Sequence, residues 1–390
     1  MNTPPVVTSS IWQRDFWLLI IANLLVTMSI YMLIPILPVW LLGGQYQSHI
    51  EVGITMGCYG VGLFVLGPFC NWLVQTKRRN AVCLSAIIGI VACILALWLL
   101  EKKIHQISFA QYIFYLLRFC LGMGFGLVQM VLSSTLIIDK SVSVQRTEAN
   151  YVAAWMGRFA LSLGPMLGIV LSRTELDPLL IAALLAFVSF TIIASIQFPF
   201  KAPEDNIKPA STDRFFLPQA KWLFLNLLLI NIVIGIILTI EFTASFYGVV
   251  MFGFCLALLA ERFVFANADL ESEIVTGLLL IALAVLALMS KNTMTANILP
   301  PILIGLGVGL IGGRFLLFFI KLSKHCQRGT ALSTYMLSWE SGMALGLWVG
   351  YTLVFQNEQK AYSLCLILLT VAFVVYHFFI HPWYMSHKNR

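Results

Sequence analysis

Charged residues are scarce in this chain. They make up 11% of its 390 residues, while hydrophobic residues make up 60%. A soluble domain carries roughly a quarter of charged residues, so the scarcity excludes an ordinary soluble protein and indicates an integral membrane protein. About twelve spans of about 20 residues would use roughly 240 residues, which fits the length.

Residues that build catalytic or metal centres are also sparse. The eight cysteines lie in or beside apolar segments without the paired spacing of a metal site, and the six histidines are scattered. The sequence has no zinc-protease helix, no serine or cysteine triad signature and no nucleotide-hydrolysis motif. We therefore predict no metal, no cofactor and no direct use of ATP, and we do not expect an enzyme.

Apolar runs long enough to span a membrane recur along the chain. We predict spans at 16–42, 52–74, 81–100, 109–138, 151–171, 178–200, 222–241, 244–260, 274–290, 297–320, 331–355 and 361–380. The run from Trp222 to Ala260 is too long for one crossing, so we divide it at Glu241 to Ser245. The polar, proline-containing segment 201–221 predicts a cytoplasmic linker between an N-terminal bundle, 1–200, and a C-terminal bundle, 222–390.

Basic residues are distributed unevenly between the predicted loops. With the amino terminus inside, the cytoplasmic segments hold 16 of the 24 lysines and arginines and the outer loops hold 5. This bias predicts a multi-pass protein of the cytoplasmic (inner) membrane with both termini inside. It also explains the net charge of +7 by topology, so we expect a lipid bilayer and not a nucleic acid as the partner of these charges.

An internal repeat supports two halves. Gly122, Gly124 and Gly126 in span four match Gly305, Gly307 and Gly309 in span ten at an offset of 183 residues, and Gly164 and Gly168 in span five match Gly346 and Gly350 in span eleven at an offset of 182. Because the offset holds across two spans, we expect two parallel, pseudo-symmetric six-helix bundles.

These residues resemble the major facilitator superfamily, particularly its efflux-type branch of twelve-span antiporters. Arg118 with the glycines of span four is similar to the family's arginine-glycine motif. The resemblance implies that this motif takes part in proton coupling. The glycine-proline motif that the branch associates with export is matched in span five by Gly157, Gly164, Pro165 and Gly168. The resemblance implies a monomer that moves a small molecule, with a proton as the coupling ion.

The loop between spans two and three departs from the family pattern. Gly67 is kept and Lys77, Arg78 and Arg79 supply basic charge, but Asn71 stands where the family has an aspartate. The charge relay that the family motif implies for this loop therefore lacks its acid.

Four charged residues lie inside predicted spans, where a charge requires a cavity, a partner or a substrate. They are Arg118, Arg158, Arg314 and Glu340. Arg118 is expected to bind substrate or to couple protons, the alternative being an arginine that braces helix packing. Arg314 either faces the cavity or reaches the membrane surface. Two or more cavity-facing arginines would favour an anionic or zwitterionic substrate.

Glu340 is the one carboxylate placed well inside a span, which makes it the leading candidate to carry a proton. Burial favours its neutral form and a nearby arginine its ionised form, so alternating access could load and unload it. Arg158 occupies the equivalent repeat position, and each follows a tryptophan, Trp155 and Trp339. They either pair directly or line the cavity with separate partners.

Uncharged polar residues in the spans complete the candidate site. They are Asn23, Tyr31, Gln129, Ser133, Asn226 and Asn231. Hydrogen bonding between helices is the competing explanation for each of them.

The sequence thus predicts an all-α membrane protein of twelve helices that exports a small molecule by alternating access in exchange for protons. Proton-linked or facilitated uptake is the alternative within the same class. A membrane-embedded enzyme or a structural membrane protein is the alternative of another class, and the absence of a central cavity between the halves would favour the latter.

Overall fold

The computed structural model describes residues 13–44, 47–103, 109–141, 145–198, 207–240, 242–290 and 298–388. Over these residues the chain forms long helices and no strand. The first six helices are α1 (Arg14–Gly43), α2 (His49–Thr76), α3 (Arg79–Lys103), α4 (Ala110–Asp139), α5 (Arg146–Leu171) and α6 (Pro178–Ser195). The second six are α7 (Lys221–Ile237), α8 (Ala244–Phe263), α9 (Leu270–Met289), α10 (Leu299–Leu322), α11 (Arg328–Leu353) and α12 (Glu358–His387).

Within the described part of the chain, 11 helices are long and apolar enough to cross a membrane. The remaining long helix, α11, is rich in hydroxyl groups and carries Glu340, and most of its residues are buried by neighbouring helices. A helix surrounded by protein can carry polar groups that lipid would not accept. The predicted all-α membrane fold of twelve helices is confirmed, as is the division of the long apolar run, since α7 ends at Ile237 and α8 begins at Ala244. Glu241 lies outside the described residues.

Helix packing in the second half repeats that in the first. In the first half α1 packs on α5 and α6, α4 packs on α2 and α3, and α3 packs on α6. Six helices later, α7 packs on α11 and α12, α10 packs on α8 and α9, and α9 packs on α12. The two halves meet along α2 with α11 and along α5 with α8. The division at 201–221 remains a prediction, and this repeated packing supports it.

Equivalent glycines set the closest approaches in the two halves. A Cβ atom at Gly122 of α4 would meet the carbonyl oxygen of Tyr59 on α2 and the backbone of Gly62. In the second half, Gly305 of α10 lies in the same way against the backbone of Val250 and Gly253 on α8. Small residues allow helix backbones to approach closely in membranes, which explains why these glycines dominate the sequence repeat.

Two boundaries differ from those predicted, with a consequence for the charged residues. Helix α8 continues to Phe263 and α9 begins at Leu270, so Glu261 and Glu273 lie within these helices. Both lie in the terminal turns of their helices, so Glu340 stays the carboxylate placed well inside a described helix. The predicted boundaries missed the two glutamates because an apolar pattern ends where a charge occurs, even when that charge is buried.

The tight α2–α4 contact leads to a stability prediction. Gly122→Val should lower the free energy of unfolding by about 1–3 kcal/mol, because the added methyl groups force the two backbones apart. Thermal unfolding in detergent measures the loss. The matched control is Gly89→Val, because a Cβ at Gly89 of α3 has nothing within 4 Å. Equal effects of the two substitutions would contradict the packing role.

Candidate functional site

One end of the bundle is closed by the linker. We call residues 211–217 the strap and the end of the bundle where they lie the linker end. The backbone N–H of Arg214 donates to Thr330 Oγ1 at 2.9 Å, and that of Leu217 donates to Thr334 Oγ1 at 2.8 Å. Both threonines lie in the first turns of α11. The strap is therefore fixed to the second half.

The strap also contacts the first half. The Ser211 N–H donates to the Pro68 carbonyl oxygen at 2.9 Å, and the Arg214 guanidinium donates to Thr135 Oγ1 on α4 at 3.1 Å. Burial, together with the charge of Arg79, lowers the pKa of the Arg214 guanidinium from its ordinary value. The strap thus ties the two halves together at the linker end.

The residues of the family-like loop lie beside this closure. A Cβ at Gly67 would overlap the ring of Phe215 in the strap, so glycine makes room for it. The side-chain oxygen of Asn71 is buried and has no hydrogen-bond partner among the described residues. Lys77 and Arg78 are exposed, and Arg79 donates to Asp139 at the end of α4 at 2.5 Å. The loop therefore has an ion pair, although its acid comes from α4.

The opposite end of the bundle opens into a cavity of about 520 Å³, which we call the vestibule. It lies between the two halves, at the ends of α1, α5, α7 and α11 and the beginning of α8. Its wall is mostly apolar and aromatic: Pro35, Ile36, Val39, Trp40, Ile169, Pro178, Leu238, Ile240, Phe242, Tyr247 and Tyr351. Polar groups come from Glu101, Ser172, Arg173 and Thr239.

Glu340 lies between the vestibule and the linker end and is buried on α11. Its carboxylate accepts one hydrogen bond from the hydroxyl group of Tyr31 on α1 and another, at 3.0 Å, from that of Tyr59 on α2. We call these two bonds the latch. Both tyrosines belong to the first half and Glu340 to the second, so the latch joins the halves near the middle of the bundle. The indole of Trp339 lies beside the Tyr31 phenol.

A void of about 10 Å³ lies on the linker side of Glu340. Among its lining residues are Gln129 on α4 and Ser333 on α11, and the Ser333 hydroxyl group is buried without a partner in the described chain. Its volume is about that of one water position. The void places polar groups next to the latch in the direction of the closed end.

Arg118 is buried on α4 and contacts Tyr59, one of the latch residues. Its guanidinium lies over the ring of Tyr59, 5.0 Å from the ring centre. The Nε and Nη1 atoms have no hydrogen-bond partner among the described residues. Arg118 therefore contacts the latch through the ring of Tyr59 and not through Glu340.

Arg158 does not pair with Glu340. It lies over the ring of Trp155, 4.3 Å from the ring centre, and donates through Nη2 to the hydroxyl group of Tyr335 at 3.3 Å. In this conformation Arg158 and Glu340 have separate partners and do not pair with each other. Arg158 is buried, and its Nε and Nη1 atoms have no partner within the described ranges.

Arg314 has a carboxylate partner on a neighbouring helix. Its guanidinium forms an ion pair with Glu273 of α9, and the carboxylate of that pair is almost fully buried. None of Arg118, Arg158 and Arg314 lines the vestibule. The condition of two or more cavity-facing arginines is thus not met in this conformation.

The uncharged polar candidates join helices within each half. Gln129 donates to Thr27 Oγ1 at 3.2 Å, Ser133 donates to Gln129 Oε1 at 2.8 Å, and Asn23 donates to the Ala153 carbonyl oxygen at 3.3 Å. These bonds connect α1, α4 and α5. Gln129 begins a π-helical turn, Gln129–Leu136, a distortion that is frequent at functional sites.

Asn226 and Asn231 have packing roles in the second half. Asn226 donates to the Ala372 carbonyl oxygen on α12 at 3.0 Å, and Asn231 donates to the Leu227 carbonyl oxygen one turn earlier at 2.8 Å. Hydrogen bonding between helices therefore describes Asn226, whereas the Asn231 bond lies within α7.

The span-five motif packs α5 against its neighbours. A Cβ at Gly164 would meet the carbonyl oxygen of Met28 and the Cβ of Tyr31 on α1, and one at Gly168 would meet Ile36. Gly157 faces Met336 of α11, and Pro165 is buried within α5. Gly164 therefore lets α5 pack closely against Tyr31, one of the latch residues.

Tyr59 is the site residue that sequence reasoning missed. It lies three residues before Gly62 on an apolar helix, where a tyrosine has no distinguishing pattern. The internal repeat gives no signal either, because the residue of α8 that corresponds to Tyr59 is Val250.

Comparison with known proteins gives a consistent result. The sequence model of the Major Facilitator Superfamily matches residues 19–347. No curated protein matches the chain. The structure of the human organic anion transporter MFSD10 is similar, with a TM-score of 0.69, 16% identity and coverage of 93% of this chain and 98% of that one.

Two further structures have the same fold. An auto-inhibited peptide transporter of the POT family gives a TM-score of 0.68 at 12% identity, with 97% of this chain and 98% of that chain covered. A bacterial homologue of the iron transporter ferroportin in an outward-facing state gives 0.67 at 17% identity, with 96% and 100% covered.

The latch leads to an energetic prediction. In a double-mutant cycle of Tyr59→Phe and Glu340→Gln, thermal unfolding should reveal a coupling energy of about 0.5–3 kcal/mol, because the hydroxyl group and the carboxylate share one bond. Tyr112→Phe is the control, since Tyr112 is 59% exposed. Additive effects of the Tyr59 and Glu340 substitutions would show that this bond does not hold the halves together.

Proposed function

Because this chain belongs to the Major Facilitator Superfamily, we propose that it is a proton-coupled antiporter that exports a small anionic or zwitterionic molecule. Membership of the family makes the chain a multi-pass membrane transporter and not an enzyme. The coupling ion, the direction of transport and the substrate class are the parts that we propose.

Proton coupling is supported by the latch. An ionised carboxylate only accepts hydrogen bonds, and a protonated one also donates. Ionised Glu340 therefore binds both tyrosines as an acceptor, and protonation weakens that charge-assisted interaction. Because the bonded groups lie on different halves, a proton on Glu340 favours their separation. This link between a proton and the relative position of the halves is the observation that carries the proposal.

The halves 1–200 and 222–390 are proposed to rock against each other as units in a monomer. Their repeated internal packing and their contacts along α2–α11 and α5–α8 support this. Breaking the strap contacts and the latch would open the linker end, while the vestibule closes.

Export is supported by the span-five glycines, which resemble the motif that the family's efflux branch associates with export, while topology orients the molecule. The excess of basic residues in the loops of the linker end favours a cytoplasmic location for that end, so the vestibule would face outward. Proton-linked uptake is the second candidate, because a vestibule open to the outside would admit a substrate from that side equally well.

The substrate class is supported by the lining of the vestibule. A cavity of about 520 Å³ is within the range of small-molecule sites, and its apolar wall carries one carboxylate, Glu101, and one guanidinium, Arg173. This combination suits an amphiphilic molecule with an anionic group, and a zwitterion best. The unpartnered nitrogen atoms of Arg118 and Arg158 would receive an anionic group deeper in the transport path. The organic anion transporter among the similar structures is too distant in sequence to add weight.

The substrate class is tested with three forms of one compound. We expect the dipeptide Phe-Phe and its N-acetylated, anionic form to raise the melting temperature of the purified protein, and the C-terminal amide, a cation, to have no effect. Arg173→Ala should abolish the stabilisation, because the carboxylate loses its guanidinium partner. Arg262→Ala removes an exposed arginine at the linker end and should leave it unchanged. Stabilisation by the amide alone would overturn the proposed substrate class.

The coupling is tested by Glu340→Gln in proteoliposomes that contain a pH-sensitive dye. Addition of N-acetyl-Phe-Phe should move protons in the wild type and not in the variant, whereas exchange of labelled for unlabelled N-acetyl-Phe-Phe should persist, because exchange needs no proton release. Glu175→Gln, at an exposed loop position, serves as the control. Undiminished proton movement in Glu340→Gln would remove Glu340 from the mechanism.

A further inference from the structure

A second group of charged side chains surrounds one turn of α10. Gly312, Gly313 and Arg314 are consecutive, and each contacts a different ionisable residue on another helix. The three contacting residues are Arg158 of α5, Glu261 of α8 and Glu273 of α9. Neither the latch nor the vestibule includes any of them.

Two of these charges neutralise each other. Glu273 accepts hydrogen bonds from Arg314, and its side chain is 2% exposed. A buried ion pair with this geometry keeps both members charged, and removal of one partner is strongly destabilising. Glu273 and Arg314 are therefore a fixed structural pair.

Glu261 is different. A Cβ at Gly313 would overlap its Oε1 atom, so the glycine makes room for the carboxyl group. That oxygen is buried and has no hydrogen-bond partner among the described residues, and the side chain as a whole is half-buried near the linker end. A buried carboxylate without a partner is costly and becomes neutral instead. Burial of this oxygen without a partner therefore favours the protonated form of Glu261 in this conformation, and its partial exposure provides a route for exchange.

Arg158 has hydrogen-bond donors without acceptors, where Glu261 has an acceptor without a donor. Its Nε and Cζ atoms lie where a Cβ of Gly312 would be. Gly312 is the neighbour of Gly313, which Glu261 contacts. Its Nε and Nη1 atoms lack partners in the described part of the chain, and it acts electrostatically on Glu273. Arg158 belongs to the first half and Glu261 to the second, so rocking changes their separation.

We propose that Glu261 is a second proton-binding group of the transport cycle, and that Arg158 becomes the partner of its carboxylate when the halves move. The proposal rests on the proposed antiport. In the step, the O–H bond of the Glu261 carboxyl group breaks, the proton passes to water at the linker end, and the free N–H groups of Arg158 bind the resulting carboxylate. The charges that act on Glu261 are those of Glu273 on α9 and Arg314 on α10. Arg158 of α5 lies at the adjacent residue Gly312, and Arg262 follows Glu261 on its own helix.

Infrared spectroscopy of the purified protein tests the proton on Glu261. The spectrum at acid pH minus that at alkaline pH should contain a protonated-carboxyl band that Glu261→Gln removes and Glu340→Gln retains. Arg158→Gln should move the pH midpoint of this band by about one unit or more, whereas Arg262→Gln should not. A difference spectrum that Glu261→Gln leaves unchanged, or a midpoint indifferent to Arg158→Gln, would overturn the proposal.

Thermal unfolding at neutral pH separates this role from a structural one. Glu261→Gln resembles the neutral acid and should unfold within a degree or so of the wild type, while Glu273→Gln should unfold several degrees lower because Arg314 loses its buried partner. Equal losses would mean that Glu261 is an ionised structural partner, contrary to the proposal. Neither measurement requires a substrate or a gradient, so failure here is distinct from failure of the antiport.

Discussion

A carboxylate in the interior of a membrane protein must have partners, and the conformation of this chain depends on where Glu340 finds them. Both hydrogen-bond donors, Tyr31 and Tyr59, come from the other half of the molecule. Because the interior is poor in water, the cost of leaving the carboxylate without partners exceeds the cost of holding two tyrosines in place. We propose on this basis that the charge state of Glu340 sets the relative position of the halves.

The two ends of the bundle agree with this central constraint. At the linker end, the strap binds α4 on one side and α11 on the other, and small residues let the helices approach one another closely. At the opposite end the vestibule lies between α1 and α5 of one half and the ends of α7 and α11 of the other. Helix α11 takes part at both ends and carries Glu340 between them, which accounts for the buried polar residues along it. A change at the latch therefore affects both ends together.

The sequence was sufficient for the twelve helices, because spans follow from apolar length alone, and for the repeat, because glycines mark the close contacts at Gly122 and Gly305. It also singled out Glu340, since a charge in a span requires an explanation, and it named Tyr31 among the uncharged polar candidates. It could not supply Tyr59, Glu261 or Glu273. A tyrosine on an apolar helix becomes significant only through the residue it faces, and charges near helix ends look solvated until a partner such as Arg314 is seen beside them.

The central claim is that the charge on Glu340 sets the relative position of the halves, and a distance across the vestibule tests it most directly. Spin labels are placed in a cysteine-free background at Val39 on α1 and Leu353 at the end of α11, both of which are exposed. Pulsed electron paramagnetic resonance then measures the distance between them, which reports the opening of the vestibule. The account predicts that Glu340→Gln, or acidification of the wild type, shifts the distance distribution to shorter values as the vestibule closes, and that acidification adds nothing further in the variant. Identical distributions under all these conditions would contradict it.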